Sequence, residues 1–256
     1  MTGSTIASRL LHQRERIAQA ASRAGRDEKD VHLIAVSKKQ SVQAIREAYE
    51  AGQRDFGENY VQELVAKAEE LKDLRELRWH MIGHLQTNKC RFVAGLVERI
   101  HTITSVKLAT ELGRRVAQRR RTVAASPHGA RLSFESGEMS APPVSTLPLG
   151  VLVEVNVSRE ESKDGCAPEE LEGVLKAIDE QPLLFVTGLM TVAPACENAE
   201  DSRPSFEALA RLRDQYGGTS RLPELSMGMS HDAEVAVSAG ATCVRIGSAI
   251  FGAREG

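Results

Sequence analysis

The chain has 256 residues, 41% hydrophobic and 27% charged, which is enough for one large core and within the size range of a single α/β barrel. Its 33 basic and 35 acidic residues leave a net charge of -2, which excludes a global electrostatic pull toward nucleic acid or an anionic membrane. No stretch approaches the roughly eighteen apolar residues of a membrane span, Met1 to Leu11 has no apolar signal core, and four scattered cysteines (Cys90, Cys166, Cys196, Cys243) read as reduced thiols, so a cytoplasmic location away from membranes is expected.

In chain order, a leading helix over about 5–24 precedes short apolar runs that alternate with segments of helical period. The expected strands are 31–37, 53–57, 78–83, 99–103, 150–157, 183–189, 223–228 and 242–247. A helix over 41–51 starts at Ser41 as N-cap, spaces Val42, Ile45 and Tyr49 along one face and stops at Gly52. The next, over 60–72, takes Asn59 as N-cap and buries Val61, Leu64, Val65 and Ala68. The arginines 114, 115, 119, 120 and 121 read as the solvated end of a helix, complementing its dipole. Residues 122–149, rich in proline, glycine and serine, read as a flexible insertion between a helix and the next strand. Farther on, Pro168 opens a helix that turns Leu171, Val174, Leu175 and Ile178 inward.

Eight strand-helix units predict a single-domain (β/α)8 barrel over 1–256, with a doubly wound open sheet as the competing arrangement. In a barrel the C-terminal ends of all strands share one face, so Lys38, Asn59, Gly83, Met190, Gly228 and Gly247 ring one mouth, and the insertion hangs from the opposite face.

Lys38 ends the run His32-Leu33-Ile34-Ala35-Val36-Ser37. A lysine there either marks the end of the core or, partly buried, supplies the neutral amine of a Schiff-base nucleophile. The loops after the last two strands, Met227-Gly228-Met229-Ser230-His231-Asp232 and Arg245-Ile246-Gly247-Ser248-Ala249-Ile250-Phe251-Gly252, stand where barrels cradle phosphate on free backbone N–H groups. Ser230 and Ser248 are equally plain as helix N-caps, but two such loops at this pair of positions favour the cradle. Arg245 alternates with Val244 and Ile246 and points into the barrel, either toward an internal partner such as Glu58 or Glu154 or toward a ligand. A Schiff-base lysine, a phosphate cradle and an arginine between them together fit pyridoxal 5'-phosphate (PLP), with the arginine at the pyridine nitrogen. His80 and His84 lie on a strand end and its loop, share no face, and give no metal site.

The segments Ala35-Val36-Ser37-Lys38, Phe56-Gly57-Glu58-Asn59-Tyr60, Trp79-His80-Met81-Ile82-Gly83-His84-Leu85-Gln86-Thr87-Asn88-Lys89, Gly188-Leu189-Met190-Thr191, Leu225 to Asp232 and Val244 to Gly252 occur in that order. From about residue 5 to residue 254, apart from the insertion, the chain resembles the pyridoxal phosphate homeostasis protein family, single-domain relatives of the alanine racemase barrel. The resemblance implies PLP on Lys38 as a Schiff base, its phosphate around Met229, Ser230, Gly247 and Ser248, Arg245 at the ring nitrogen and Asn59 close by. Ser158, Lys163 and Gly165 match a family loop to which no role is attached.

A racemase of the related fold draws a second acid/base tyrosine from an additional domain and a partner subunit, whereas this chain is expected to end with the barrel and to be a monomer. A permanently charged arginine is also a poor proton donor to the ring and leaves it a weak electron sink. The expectation is therefore a non-enzymatic PLP binder that stores the cofactor or delivers it to apo PLP-dependent enzymes, with no catalytic residues of its own. A PLP-dependent amino-acid racemase is the alternative, and a Schiff-base aldolase barrel without PLP the third reading.

Overall fold

The computed structural model describes residues 5–125, 131–134, 137–140 and 148–252; of these, 123–125, 131–134 and 137–140 are described by backbone alone. Helix α1 (Ile6–Arg23) is capped by the Thr5 hydroxyl, which accepts from Ser8 N–H, and is followed by β1 (His32–Val36) and α2 (Val42–Glu50). Then come β2 (Asp55–Glu58), α3 (Val61–Glu70), β3 (Arg78–Met81), α4 (Cys90–Val93), β4 (Arg99–Ile103) and α5 (Val106–Ala125). After the antiparallel pair β5 (Arg131–Phe134) and β6 (Gly137–Ser140), the alternation resumes with β7 (Leu149–Glu154), α6 (Leu171–Asp179), β8 (Leu184–Met190), α7 (Arg203–Gln215), α8 (Gly218–Arg221), β9 (Glu224–Ser226), α9 (Ala233–Ser238), β10 (Cys243–Ile246) and α10 (Ser248–Phe251).

The eight strands outside the β5–β6 pair close into a parallel barrel in the order β1-β10-β9-β8-β7-β4-β3-β2, so the open-sheet alternative is set aside. Closure is made where β1 meets β10, with His32 opposite Cys243 and Ala35 opposite Ile246. Strands β4 and β7 pair directly, Arg99 opposite Gly150, so the intervening segment leaves the barrel uninterrupted. Alternation divides each strand between two environments. Phe56, Val151, Val153, Leu225, Val244 and Ile246 join the core between sheet and helices, while Ile34 and Ile82 meet in the bore over Gly57, where a Cβ would lie 2.9 and 2.7 Å from them.

All eight expected strands are present, the one at 99–103 unchanged and the others with ends shifted by up to three residues. Ser41 caps α2 as expected, accepting from Ala44 N–H. Asn59 does not cap α3: the capping position is Tyr60, which makes no side-chain cap bond, because Asn59 stays in the rim turn against Gly83. Pro168 opens a single 3-10 turn, and α6 begins at Leu171. The arginine cluster is not a solvated helix end, since α5 continues to Ala125 and Arg119 is only 7% exposed. Of the expected flexible insertion at 122–149, the stretches 126–130, 135–136 and 141–147 lie outside the described residues. No helix among the described residues is long and apolar enough to cross a membrane.

Candidate functional site

Parallel closure brings the C-terminal ends of the strands to one rim. Lys38 lies two residues past β1, half-buried, and shares the parity of Ile34, the bore-facing residue of that strand. On β10, the neighbour of β1, register sets Gly247 opposite Val36; a Cβ on Gly247 would lie 3.2 Å from the Val36 carbonyl oxygen. Next comes β9, followed by Gly228, whose φ is +92° and where a Cβ would lie 2.5 Å from the Ala236 methyl, so that no side chain is admitted. Thus Lys38, the 247–248 turn and the 228–230 turn stand on three adjacent strands. Asn59 follows β2 on the other side of Lys38, held where a Cβ on Gly83 would come within 2.4 Å of its carbonyl oxygen.

The turn that carries Lys38 is clamped from behind. Lys67, on the inner face of α3, donates to the Ser37 carbonyl (2.6 Å), Glu58 (2.8 Å) and Glu63 (2.6 Å), using all three of its ammonium hydrogens. The Ser37 hydroxyl donates to Glu58 at 2.7 Å, and Glu63 accepts from the Lys39 N–H at 2.5 Å. Lys39 is held at φ 58°, a left-handed conformation that costs a non-glycine residue energy and persists only where its surroundings impose it. Glu58 is fully buried; burial pushes its carboxyl up, against the pull of Lys67 and Ser37. It faces α3 and is not the partner of Arg245.

Arg245 is 4% exposed and donates to the Ser226 hydroxyl (2.7 Å) and the Thr191 carbonyl (3.0 Å). At the far end of a longer chain of bonds the ionised Asp55 only accepts, and with neutral imidazoles between, this sets the directions. Ser226 accepts from Arg245 and donates its own hydrogen to His101 Nδ1, 2.9 Å away. His101 then carries its hydrogen on Nε2 and donates to His80 Nδ1 at 3.1 Å, and His80 donates from Nε2 to Asp55 at 2.9 Å. Both ring tautomers are thereby fixed. Burial holds the His101 imidazole well below its usual pKa, with His80 and Arg245 adding to the effect. Asp55 is opposed by burial, yet the bonds from Arg78 and His80 hold it well below the usual carboxylate range. One ordered polar chain therefore runs the length of the bore, from the arginine at the mouth to the opposite rim.

Glu154, the last residue of β7, faces the mouth from the wall opposite β1 and is 6% exposed. Burial, helped by the charge of Asp164 and opposed by that of Arg245, pushes its carboxyl up to about 7. It makes no direct pair with Arg245, so neither carboxylate expected as that arginine's internal partner fills the role; its fixed bonds are to Ser226 and Thr191.

In the 228–230 turn the Met229 N–H is given to Asp232 (2.7 Å), whose other oxygen accepts from Ser202 (3.0 Å), so the carboxylate folds this loop from within. The backbone N–H and hydroxyl of Ser230 remain available to a ligand. So do the first N–H groups of α10, from Ser248 and Ala249, which have no carbonyl one turn back to reach. The Asn59 Oδ1 is buried without a partner.

The loop of Ser158, Lys163 and Gly165 now has a structural role. Lys163 donates to the Ala193 carbonyl, Ser158 to the Asn156 side chain, and Gly165 has φ +112°, where a Cβ would lie 2.7 Å from the Asn156 backbone nitrogen. The loop ties the rim after β7 to the rim after β8. His84 meets Asp164 of the same loop at 3.2 Å, whereas His80 lies in the bore, and among the described residues no cluster of metal-ligating side chains forms. Lys67, His80, His101, Ser226 and Glu154 were not singled out as site residues from sequence. Their signal was present, as polar residues at positions of core parity.

The family model described as "Alanine racemase, N-terminal domain" matches residues 9–255. The chain is 43% identical over 249 residues to the pyridoxal phosphate homeostasis protein of Aquifex aeolicus, covering 96% of this chain and 97% of that one. Among solved structures, PipY of Synechococcus elongatus PCC7942 with PLP bound superposes with a TM-score of 0.74 at 33% identity, over 97% of this chain and all of PipY. Alanine racemase of Corynebacterium glutamicum shares the fold at 16% identity and a TM-score of 0.60, with 61% of its chain covered.

Replacing Lys67 by Met leaves Glu58 and Glu63 without their cation, an expected loss of roughly 3–5 kcal/mol in urea unfolding, as for other broken buried pairs. Glu154, raised to about 7, stabilises the fold fully below the ordinary glutamate value, and that contribution is lost as pH rises through about 7. Glu154→Gln is therefore expected to flatten stability between pH 4.5 and 8, and to be the more stable protein at pH 8 by on the order of 3 kcal/mol, measured by denaturation at several pH values.

Proposed function

The chain belongs to the pyridoxal phosphate homeostasis protein family, and from that premise we propose that it binds PLP at the barrel mouth, holds it reversibly through Lys38, and stores it or delivers it to apo PLP-dependent enzymes. The observation that carries this reading is the placement of Lys38, Gly247 and Ser248, and Gly228 to Ser230 on three neighbouring strands, around a guanidinium fixed between them. The residues fit such a molecule. Ser230 and the N-terminal turn of α10 offer donors to a phosphate, and the Asn59 amide carries an unmatched acceptor at the rim. PLP supplies an aldehyde that an amine captures reversibly, and a ring that draws electrons from the captured group.

The remaining chemistry belongs to the protein. The clamp behind Ser37 and Lys39 keeps the Lys38 turn in place. Arg245 presents a charged donor to the ring nitrogen and gives it no proton, because the bore chain holds the guanidinium from behind and leaves nothing for it to accept. An unprotonated ring draws electrons weakly, which suits holding over turnover. A candidate for the second acid/base group of the racemase alternative is Glu154, its carboxyl pushed up to about 7 and across the mouth from β1. The protein acts as a cytoplasmic monomer.

Adding PLP to the purified chain is expected to produce a visible absorption band that Lys38→Ala abolishes. Ser230→Ala and Ser248→Ala keep the band and weaken binding by roughly tenfold each, the loss of one hydrogen bond to a charged group. The loaded protein restores activity to an apo PLP enzyme, and a panel of L- and D-amino acids is not turned over. Racemisation abolished by Glu154→Gln would favour the alternative.

A further inference from the structure

At the pole of the barrel opposite Lys38 lies a cavity of about 350 Å³, roofed by the N-terminal starts of β3, β4 and β7 and by the second half of α5. Among the described residues, five arginines line it (Arg75, Arg78, Arg99, Arg119 and Arg120) against one carboxylate, Glu98. Among the described residues Arg78 is compensated by Asp55, and Arg99 by Glu224 and Glu98. Arg119 is not. It is 7% exposed, yet none of its three guanidinium nitrogens has a hydrogen-bond partner.

A guanidinium stays charged in any protein interior, and one that is buried without acceptors opposes folding. This one is nevertheless given a prepared bed. Gly95, at φ +84°, lies under it, and a Cβ there would approach Arg119 Nε to 2.6 Å. Gly150 does the same for Arg99, with 2.8 Å from a Cβ to its Nη1. Any side chain at either position would push a guanidinium out of the wall. Trp79 and the 44% exposed Phe185 supply apolar surface beside the charges.

We infer that this cavity is a second anion-binding site, built to take a small phosphate monoester, with Arg119 as its central ligand and Arg75 and Arg120 at its edge. The unpartnered Arg119 guanidinium, a planar fork of donors, matches a tetrahedral dianion that accepts from several directions at once. The aromatic wall favours an ester with a flat organic group over free phosphate. The site is a barrel length from the Lys38 mouth, shares no residue with it, and does not depend on PLP being bound there.

The test compares the full-length chain with Arg119→Met, by thermal unfolding and by backbone amide NMR, in chloride, inorganic phosphate and phenyl phosphate at equal ionic strength. Because an orphaned charge opposes folding, Arg119→Met is expected to melt higher than wild type in chloride, and the gap is expected to close as phosphate is added. Amides of Gly95, Leu96 and Gly150 should shift saturably in wild type, with at least tenfold weaker binding in Arg119→Met, while Ser230 and Ser248 respond alike in both proteins. Tighter binding of phenyl phosphate than of inorganic phosphate would assign the aromatic wall to the ligand; equal affinity would overturn that part and leave free phosphate as the occupant. Arg75→Gln, an exposed change that leaves the core intact, should weaken the same shifts. If Arg119→Met lowers the melting temperature equally in all three salts, or if phosphate shifts only the mouth amides, Arg119 is a packing residue and the second site does not exist.

Discussion

A parallel sheet that closes on itself has only two rims and one bore, and every polar group on the inner side of a strand must find its partner there. Eight strands leave room in the middle for side chains but not for solvent, so inner positions are filled by packing or by ordered hydrogen bonds. Here the bore is divided between apolar contacts such as Ile34 with Ile82 over Gly57 and the polar chain from Arg245 to Asp55. Since the Asp55 carboxylate only accepts, neutral imidazoles between it and Ser226 give the chain one direction, and that direction decides the tautomers of two histidines. The mouth receives a guanidinium whose orientation is set from below.

The amine side of the mouth is organised differently. Lys38 belongs to a turn rather than to a strand, and a turn with a left-handed non-glycine residue would be mobile if left alone. The outward side of β2 and the inner side of α3 supply the restraint, through Glu58, Lys67 and Glu63 packed against Ser37 and Lys39. The two clusters do not touch the same groups. One, in the bore, fixes a donor; the other, behind the sheet, fixes the position of a nucleophile. A site built this way holds its geometry before any ligand arrives, which suits reversible capture.

Much of this was legible in the amino-acid order. Strand β4 was found residue for residue at 99–103, and the alternation that sends Arg245 inward while Val244 and Ile246 meet the helices was correct, because period two is imposed by the backbone. Partners were less legible. Glu58 was offered to Arg245, although the parity that puts Phe56 in the outer core also puts Glu58 on that side, beside Lys67. Asn59 scored as a helix cap because its residue type favours caps, and tertiary contact with Gly83 overrode that preference. Arg119 looked like one of a solvated cluster. Its neighbours Arg114 and Arg115 are indeed held by Glu111 on the helix surface, but Arg119, one turn beyond Arg115, lies buried against the barrel end, a distinction that charge density along a sequence does not show.

The account rests on Lys38 being the residue that captures PLP, and the most direct measurement is reduction of the PLP-loaded chain with borohydride followed by peptide mapping by mass spectrometry. A stable phosphopyridoxyl mass on Lys38, stoichiometric with protein, is predicted. The same mass on Lys39, Lys67 or Lys163, or scattered over surface lysines with Lys38 unmodified, would contradict it.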